Sequence, residues 1–267
     1  MSGHIHFHPA DAHGIARVVI ANPGKLNALD TTMWRELRAG FEALAPTITP
    51  TNAPRVIVVQ GEGQSFVAGG DIEEFPHFRF DAAALAHFHE EVVGPALWAM
   101  LACDVPLVAQ IAGACVGGGL EIAACCDIRL CSERSRFGVP IAKLGFPMAP
   151  AEIEIVARVV GETTLRELLL EARVLTAHDA LQRGLITRVV PDDALAQEAQ
   201  HCAERMAALS PQAMRLNKQA LRQFAHGGNS SRSQREPHYA YAPSDEHREG
   251  LAAFNEKRPA SFPPAKP

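Results

Sequence analysis

Glu121 lies three residues after Gly118 in the run Gly113-Ala114-Cys115-Val116-Gly117-Gly118-Gly119-Leu120-Glu121, and a second glycine-bearing run upstream reads Phe66-Val67-Ala68-Gly69-Gly70-Asp71-Ile72. Residues without side chains let backbone N–H groups come close to an anion or a polarised carbonyl. Two such donors are what an enolate oxygen requires. A carboxylate at Glu121, in the first turn of a helix that opens near Gly118, then stands beside the polarised group, in position to move protons at the neighbouring carbons. Each part taken singly has a plainer account: glycines for tight turns, Asp71 as a helix cap, Glu121 as a complement to the helix dipole. Neither run fits G-x-G-x-x-G or G-x-x-x-x-G-K-[ST], and no G-x-S-x-G elbow offers a nucleophilic serine.

These turns need strands behind them and a helix after them. Ile15 to Ala21 and Arg55 to Gln60 are apolar, β-branched runs that end at Asn-Pro-Gly and Gly-Glu-Gly, the pattern of buried strands. Between them, Met33, Leu37, Phe41 and Leu44 form one helical stripe over Asp30 to Ala45, with Asp30 or Thr31 as N-cap. Strand, helix, strand predicts a parallel βαβ unit. The pattern continues with a helix from Asp81 to Ala102, a strand from Pro106 to Ala112, a short helix from Gly118 to Cys126 and a strand from Ile128 to Ser132. After Pro150 helices dominate, over 151–160, 162–170, 177–183, 192–209, 211–226 and 244–256. A Gly, Ser, Asn, Arg and Pro-rich stretch over 227–243 predicts a mobile loop before the last of them.

Composition removes several classes of function. Twenty-five basic and 30 acidic residues give a net charge of −5, which supplies no field for nucleic acid. No apolar run approaches the roughly 20 residues that span a bilayer, and the first residues lack the basic-then-apolar order of a secretory signal, so the expectation is a soluble, cytoplasmic protein without a membrane partner. The six cysteines, without paired C-x-x-C spacing, read as buried reduced thiols. His4, His6 and His8 alternate and would share one face of a strand; an exposed edge strand accounts for them as well as a metal comb does, and no metal site is assigned.

GKLNALD (24–30), FVAGGDI (66–72), PLVAQIAGACVGGGLEIAACCDIRL (106–130), LTAHDALQRGLITRVV (175–190) and DEHREGLAAFNEKR (245–258) resemble the crotonase family of enoyl-CoA hydratases and isomerases in order and spacing, through nearly the whole chain. The resemblance implies an α/β fold: a spiral β-β-α core over residues 1–195 that binds acyl-CoA and carries catalysis, then a helical trimerisation and CoA-covering region over 196–267. It implies an acyl-CoA substrate with no separate cofactor, coenzyme A being part of the substrate, and a homotrimer or a hexamer made of two trimers. By position, Gly70 and Gly118 supply the two N–H donors to the thioester oxygen, and Glu121 matches the first catalytic glutamate. Ala68, Gly69 and Ile72 line the coenzyme A groove, Lys25, Asp71, Gly117 and Ile141 belong to the same binding site, and Phe254 and Lys257 reach CoA from the last helix, in this family often across a subunit boundary.

The chain then departs from the family. Hydratases carry a second glutamate directly after the proline of F-x-x-P-E, and this chain reads Phe137-Gly138-Val139-Pro140-Ile141; the P-G-x-G-G-T loop is changed to Pro147-Met148-Ala149-Pro150-Ala151-Glu152. Glu152 or Glu154 is a candidate replacement, although Glu152 just after Pro150 also suits a simple helix start. Two carboxylates that hold and split a water make hydration efficient, so losing one weakens the hydratase reading. A single base beside an oxyanion hole still serves double-bond isomerisation, and a catalytically weak acyl-CoA-binding protein is the non-enzymatic alternative.

Overall fold

Val56, Ile57, Val58 and Val59 are all buried, a run without alternation that requires a strand covered on both faces. The computed structural model describes residues 3–44, 54–225 and 231–262. Its strands are β1 (His4–His8), β2 (Ile15–Ala21), β3 (Val56–Gly61), β4 (Leu107–Ile111), β5 (Ala114–Val116), β6 (Ile128–Ser132), β7 (Arg136–Gly138), β8 (Val174–Thr176) and β9 (Arg188–Val190). Its helices are α1 (Thr31–Leu44), α2 (Ala82–His87), α3 (Gly94–Ala102), α4 (Gly118–Ala124), α5 (Pro150–Leu170), α6 (Ala177–Gln182), α7 (Leu195–Ala207), α8 (Pro211–Ala225), α9 (Arg232–Arg235) and α10 (Asp245–Glu256).

The main sheet runs β1-β2-β3-β4-β6-β9; only β1, at the edge, is antiparallel to its neighbour. Ile57, Val59, Leu107 and Ala109 face a large core with Leu37, Phe41, Leu97 and Met100 from α1 and α3. Val56, Val58, Val108 and Leu130 point the other way, onto Leu195, Cys202, Ala203 and Ala207 of α7. The mixed α/β architecture with a helical C-terminal part is therefore as expected, and α7 closes the second face of the sheet. His4, His6 and His8 lie exposed along the β1 edge strand, and the six cysteines are buried and unpaired. No described helix is long and apolar enough to cross a membrane.

Three features differ from the sequence expectation. A second, three-stranded sheet of β5, β7 and β8 forms beside the first, because three-residue strands leave too little pattern to read. The helix expected from Asp81 to Ala102 holds a π-turn over Phe88–Val93, closed by the Gly94 N–H donating to the His89 carbonyl five residues back. Residues 232–239 form short helical turns instead of open loop, while 226–230 of that stretch, like Ala45 at the end of α1, lie outside the described residues. Gly161, at φ 72°, separates two helical segments within α5, matching the two segments expected there.

Asn27 connects this scaffold to the first glycine turn. Buried, and in the left-handed region at φ 60° that asparagine tolerates, it accepts from the Asn22 N–H at 3.1 Å and donates to the carbonyls of Glu62, Ser65 and Phe66 at 2.9, 2.9 and 3.3 Å. Those carbonyls flank the close approach of Gly61, where a Cβ would lie 2.2 Å from the Phe66 oxygen. Asn27→Ala leaves several buried backbone groups unpaired and should cost about 2–4 kcal/mol. Urea unfolding checks this; a loss under about 0.5 kcal/mol would mean that water replaces the amide.

Candidate active site

Both glycine turns sit at the carboxyl ends of parallel strands, and they touch each other. Val67 pairs with Cys115 through an isolated parallel bridge, in which the Val67 N–H donates to the Ala114 carbonyl at 2.9 Å and the Val116 N–H to the Val67 carbonyl at 3.0 Å. Gly117, at φ 53°, caps α4 beside Gly69, at φ 110°, both in the left-handed region that favours glycine. At Gly119 a Cβ would stand 2.4 Å from the Val67 oxygen, and at Gly118 2.9 Å from the Trp34 ring. Only glycine allows this approach.

The approach leaves two donors free. Leu29 donates to the Gly69 carbonyl and accepts from the Asp71 N–H, both at 2.8 Å, so the N–H of Gly70 between them points away from Leu29. Gly118 begins α4, where the first N–H groups have no helical partner. Neither the Gly70 nor the Gly118 N–H has an acceptor among the described residues.

A cleft of about 200 Å³ opens at this point, lined among others by Ala68, Gly69, Gly70, Ile72, Gly117 and Gly118. Glu121, 6% exposed, comes from the first turn of α4, and its carboxyl has no hydrogen-bond partner among the described residues. Glu152, 5% exposed, enters from the first turn of α5, and its Oε1 lies 2.5 Å from Nδ1 of His89 in the π-turn. Ile141 lines the same cleft, half-buried, while Glu154 faces solvent. Burial, then the charge of Glu152, hold the Glu121 carboxyl well above the usual carboxylate range, against the opposing attraction of Arg79.

The other expected binding residues divide. Lys25 donates to Asp71 at 2.6 Å and to Glu73 at 2.7 Å, and these bonds, Asp71 first, raise its pKa. Asp71 caps the short helix Ile72–His77 by accepting from the Glu73 N–H at 3.2 Å. Lys25 and Asp71 thus brace the turn without lining the cleft. Phe254, 82% exposed, and Lys257, the left-handed cap of α10, do not line it either within one chain. His89, Arg79 and the aromatic wall of Phe75, Phe88 and Phe146 were not expected at the site; no local motif marks them.

The sequence profile of the enoyl-CoA hydratase/isomerase family matches residues 10–264. The chain belongs to that family. Similar proteins include a probable enoyl-CoA hydratase of Mycobacterium bovis, 32% identical over 92% of this chain and 93% of that one. Among solved structures, an enoyl-CoA hydratase/carnitine racemase of Magnetospirillum magneticum matches with a TM-score of 0.90 at 37% identity, covering 98% of this chain and 96% of that one. An enoyl-CoA hydratase/isomerase family protein of Hyphomonas neptunium gives 0.88 at 28% identity, covering 98% of each chain. As a member of this family, the chain is an enzyme acting on acyl-CoA.

The buried Glu121 makes a prediction about stability. In the unfolded chain this carboxyl releases its proton around pH 4.5, whereas the folded protein holds the proton to higher pH. As pH rises above that point the unfolded state binds fewer protons than the folded one, so this residue contributes a loss of stability with rising pH. Glu121→Gln should therefore melt higher than the unsubstituted protein at pH 8, with the difference shrinking toward pH 4.5. A variant that melts lower at pH 8 would show the carboxylate to be well stabilised in its charged form.

Proposed function

We propose that this protein is an enoyl-CoA hydratase whose two proton-transfer carboxylates are Glu121 and Glu152. The observation that carries this reading is that both are buried in one apolar cleft, beside the free N–H groups of Gly70 and Gly118, although position 141 is isoleucine. In this reading the thioester oxygen of a 2-enoyl-CoA accepts from Gly70 and Gly118, which draws electron density away from the β-carbon and stabilises the enolate. Glu152, oriented by a hydrogen bond from His89, takes a proton from water as the water oxygen bonds to the β-carbon. Glu121, in its acid form, gives its proton to the α-carbon as the enolate collapses. One proton leaves Glu121 and one arrives on Glu152, and exchange through water resets the pair. Ile141 then borders the acyl chain as an apolar contact.

Double-bond isomerisation through Glu121 alone remains the competing reaction, and the two are told apart with two esters. Hydration removes the ultraviolet absorbance of crotonyl-CoA; isomerisation creates that absorbance from a 3-enoyl-CoA. Glu121→Gln and Glu152→Gln should each lower crotonyl-CoA hydration by about 10²- to 10⁴-fold with little change in KM, and the double variant should lose little more than either single one. If Glu152→Gln keeps full hydratase activity, the pair is not the catalyst. Gain of absorbance from the 3-enoyl ester with no loss from crotonyl-CoA would favour the isomerase.

The assembly follows from surfaces that one chain leaves open. Leu251 and Phe254 on α10 and Leu221 and Phe224 on α8 are exposed, and we infer that they pack between subunits of a homotrimer or hexamer, where Phe254 and Lys257 approach CoA. Six buried, unpaired thiols suit a reducing compartment, which supports the cytoplasm as the site of action. Light scattering at micromolar concentration should give three or six times the 28.8 kDa chain mass; a monomer would contradict the assembly.

A further inference from the structure

Arg79 is the charged residue of the cleft lining that the proposed reaction does not use. It follows the short helix Ile72–His77, held by its own N–H donating to the Phe75 carbonyl at 2.9 Å. Its guanidinium carbon sits in the corner between two aromatic faces, 4.1 Å from the centre of the Phe75 ring and 3.8 Å from that of Phe146. The rings stand edge to face, 5.7 Å apart, and fix the planar group against the cleft wall. The guanidinium donates no hydrogen bond and makes no ion pair among the described residues, and its Nε is buried without a partner.

Among the described residues, the two cations that are buried outright are paired instead. The buried Arg129 donates from Nε to the Leu185 carbonyl and from a terminal nitrogen to the Cys126 carbonyl, each at 2.5 Å, and the buried Lys218 pairs with Asp127 at 2.7 Å. Those two are satisfied because an unpaired charge out of water is expensive, whereas Arg215 of α8, half-buried like Arg79, has no hydrogen bond or ion pair among the described residues. Arg79 lies within electrostatic range of Glu152 and Glu121, yet neither carboxylate closes to ion-pair distance. Glu152 is engaged by His89 instead. A five-donor fork held against two apolar rings, with no acceptor among the described residues, fits a carboxylate, which it can bind through two parallel hydrogen bonds.

We propose that Arg79 receives a carboxylate carried at the far end of the acyl group, so that the preferred substrates are CoA monoesters of unsaturated dicarboxylic acids in place of plain alkenoic ones. This rests on the reading that the acyl group occupies this cleft, and it names the substrate class that the hydratase reading leaves open. Saturated esters test it without requiring turnover. In a titration calorimetry experiment on the full chain, adipyl-CoA and glutaryl-CoA are compared with hexanoyl-CoA and pentanoyl-CoA, which have the same number of acyl carbons. The dicarboxylic esters should bind at least about 10-fold more tightly, the range of one charge-assisted pair. Arg79→Met should abolish the preference by weakening only the dicarboxylic esters, and Arg79→Lys should restore part of it.

Equal or tighter binding of hexanoyl-CoA by the unsubstituted protein overturns the proposal, whatever the variants do. So does an Arg79→Met protein that loses affinity equally for both classes, since that is the behaviour of a residue that only shapes the wall. Preference for the dicarboxylic esters without hydration of any enoyl ester would sink the hydratase reading and leave Arg79 as the carboxylate receptor. Hydration of crotonyl-CoA without that preference would do the reverse.

Discussion

The rest of the site depends on one backbone contact, the parallel bridge that holds residues 66–70 against 114–118. Each turn alone presents a single free N–H, and a single donor is a weak receptor for a developing oxyanion. The bridge fixes the second donor relative to the first with main-chain geometry, which does not relax as side chains do. Gly117 and Gly119 exist to permit that contact: one takes a positive φ, and the other leaves room for the Val67 carbonyl. Asn27 holds the outer end of the first turn through three carbonyls, and Lys25 and Asp71 brace its exit. The geometry of the candidate site is thus inherited from the sheet, through hydrogen bonds outside the cleft itself.

What the sequence made legible follows from how local each feature is. Glu121 and Gly118 share one turn of one helix, so their relation is set by spacing alone, and both strands behind the turns showed as continuous apolar runs. The absence of a carboxylate at Ile141 was equally plain. Glu152 was visible only as an ambiguity, since a glutamate two residues after a helix-starting proline has a sufficient local reason to be there. Whether it faces solvent or the cleft depends on the direction in which α5 leaves the loop, and that is a tertiary fact. Its neighbour Glu154, two positions along the same helix, points to water. His89 and Arg79 had no signal at all: one lies within a π-turn hidden in a helical pattern, and the other follows a short helix in a stretch with no periodicity.

Both cleft carboxylates stand in the first turn of a helix, where the positive end of the dipole favours the charged form. The same local device is nevertheless joined to different surroundings. Glu121 is buried on a seven-residue helix without a donor to its carboxyl, and desolvation together with the nearby Glu152 favours the acid form. Glu152 has a histidine nitrogen at 2.5 Å, a partner that a carboxylate can accept from. The proposed hydration, with one acid and one base facing the substrate, needs such unlike environments, because two identical carboxylates in one cleft share a proton instead of dividing the work.

The position from which the second carboxylate comes also has a consequence for the cleft wall. With isoleucine at 141, the segment after Pro140 contributes apolar surface, and polarity is concentrated where α5 begins and where the π-turn presents His89. The ionisable groups that line this cleft are Glu121, Glu152, His89 and Arg79, while Phe75, Phe88, Phe146 and Met148 form part of the remaining wall. A low-dielectric wall strengthens every interaction among these groups, including the attraction of Arg79 for whatever anion approaches it. Contact with two rings holds Arg79 in place without neutralising it, so its charge stays available to an anionic group of whatever occupies the cleft.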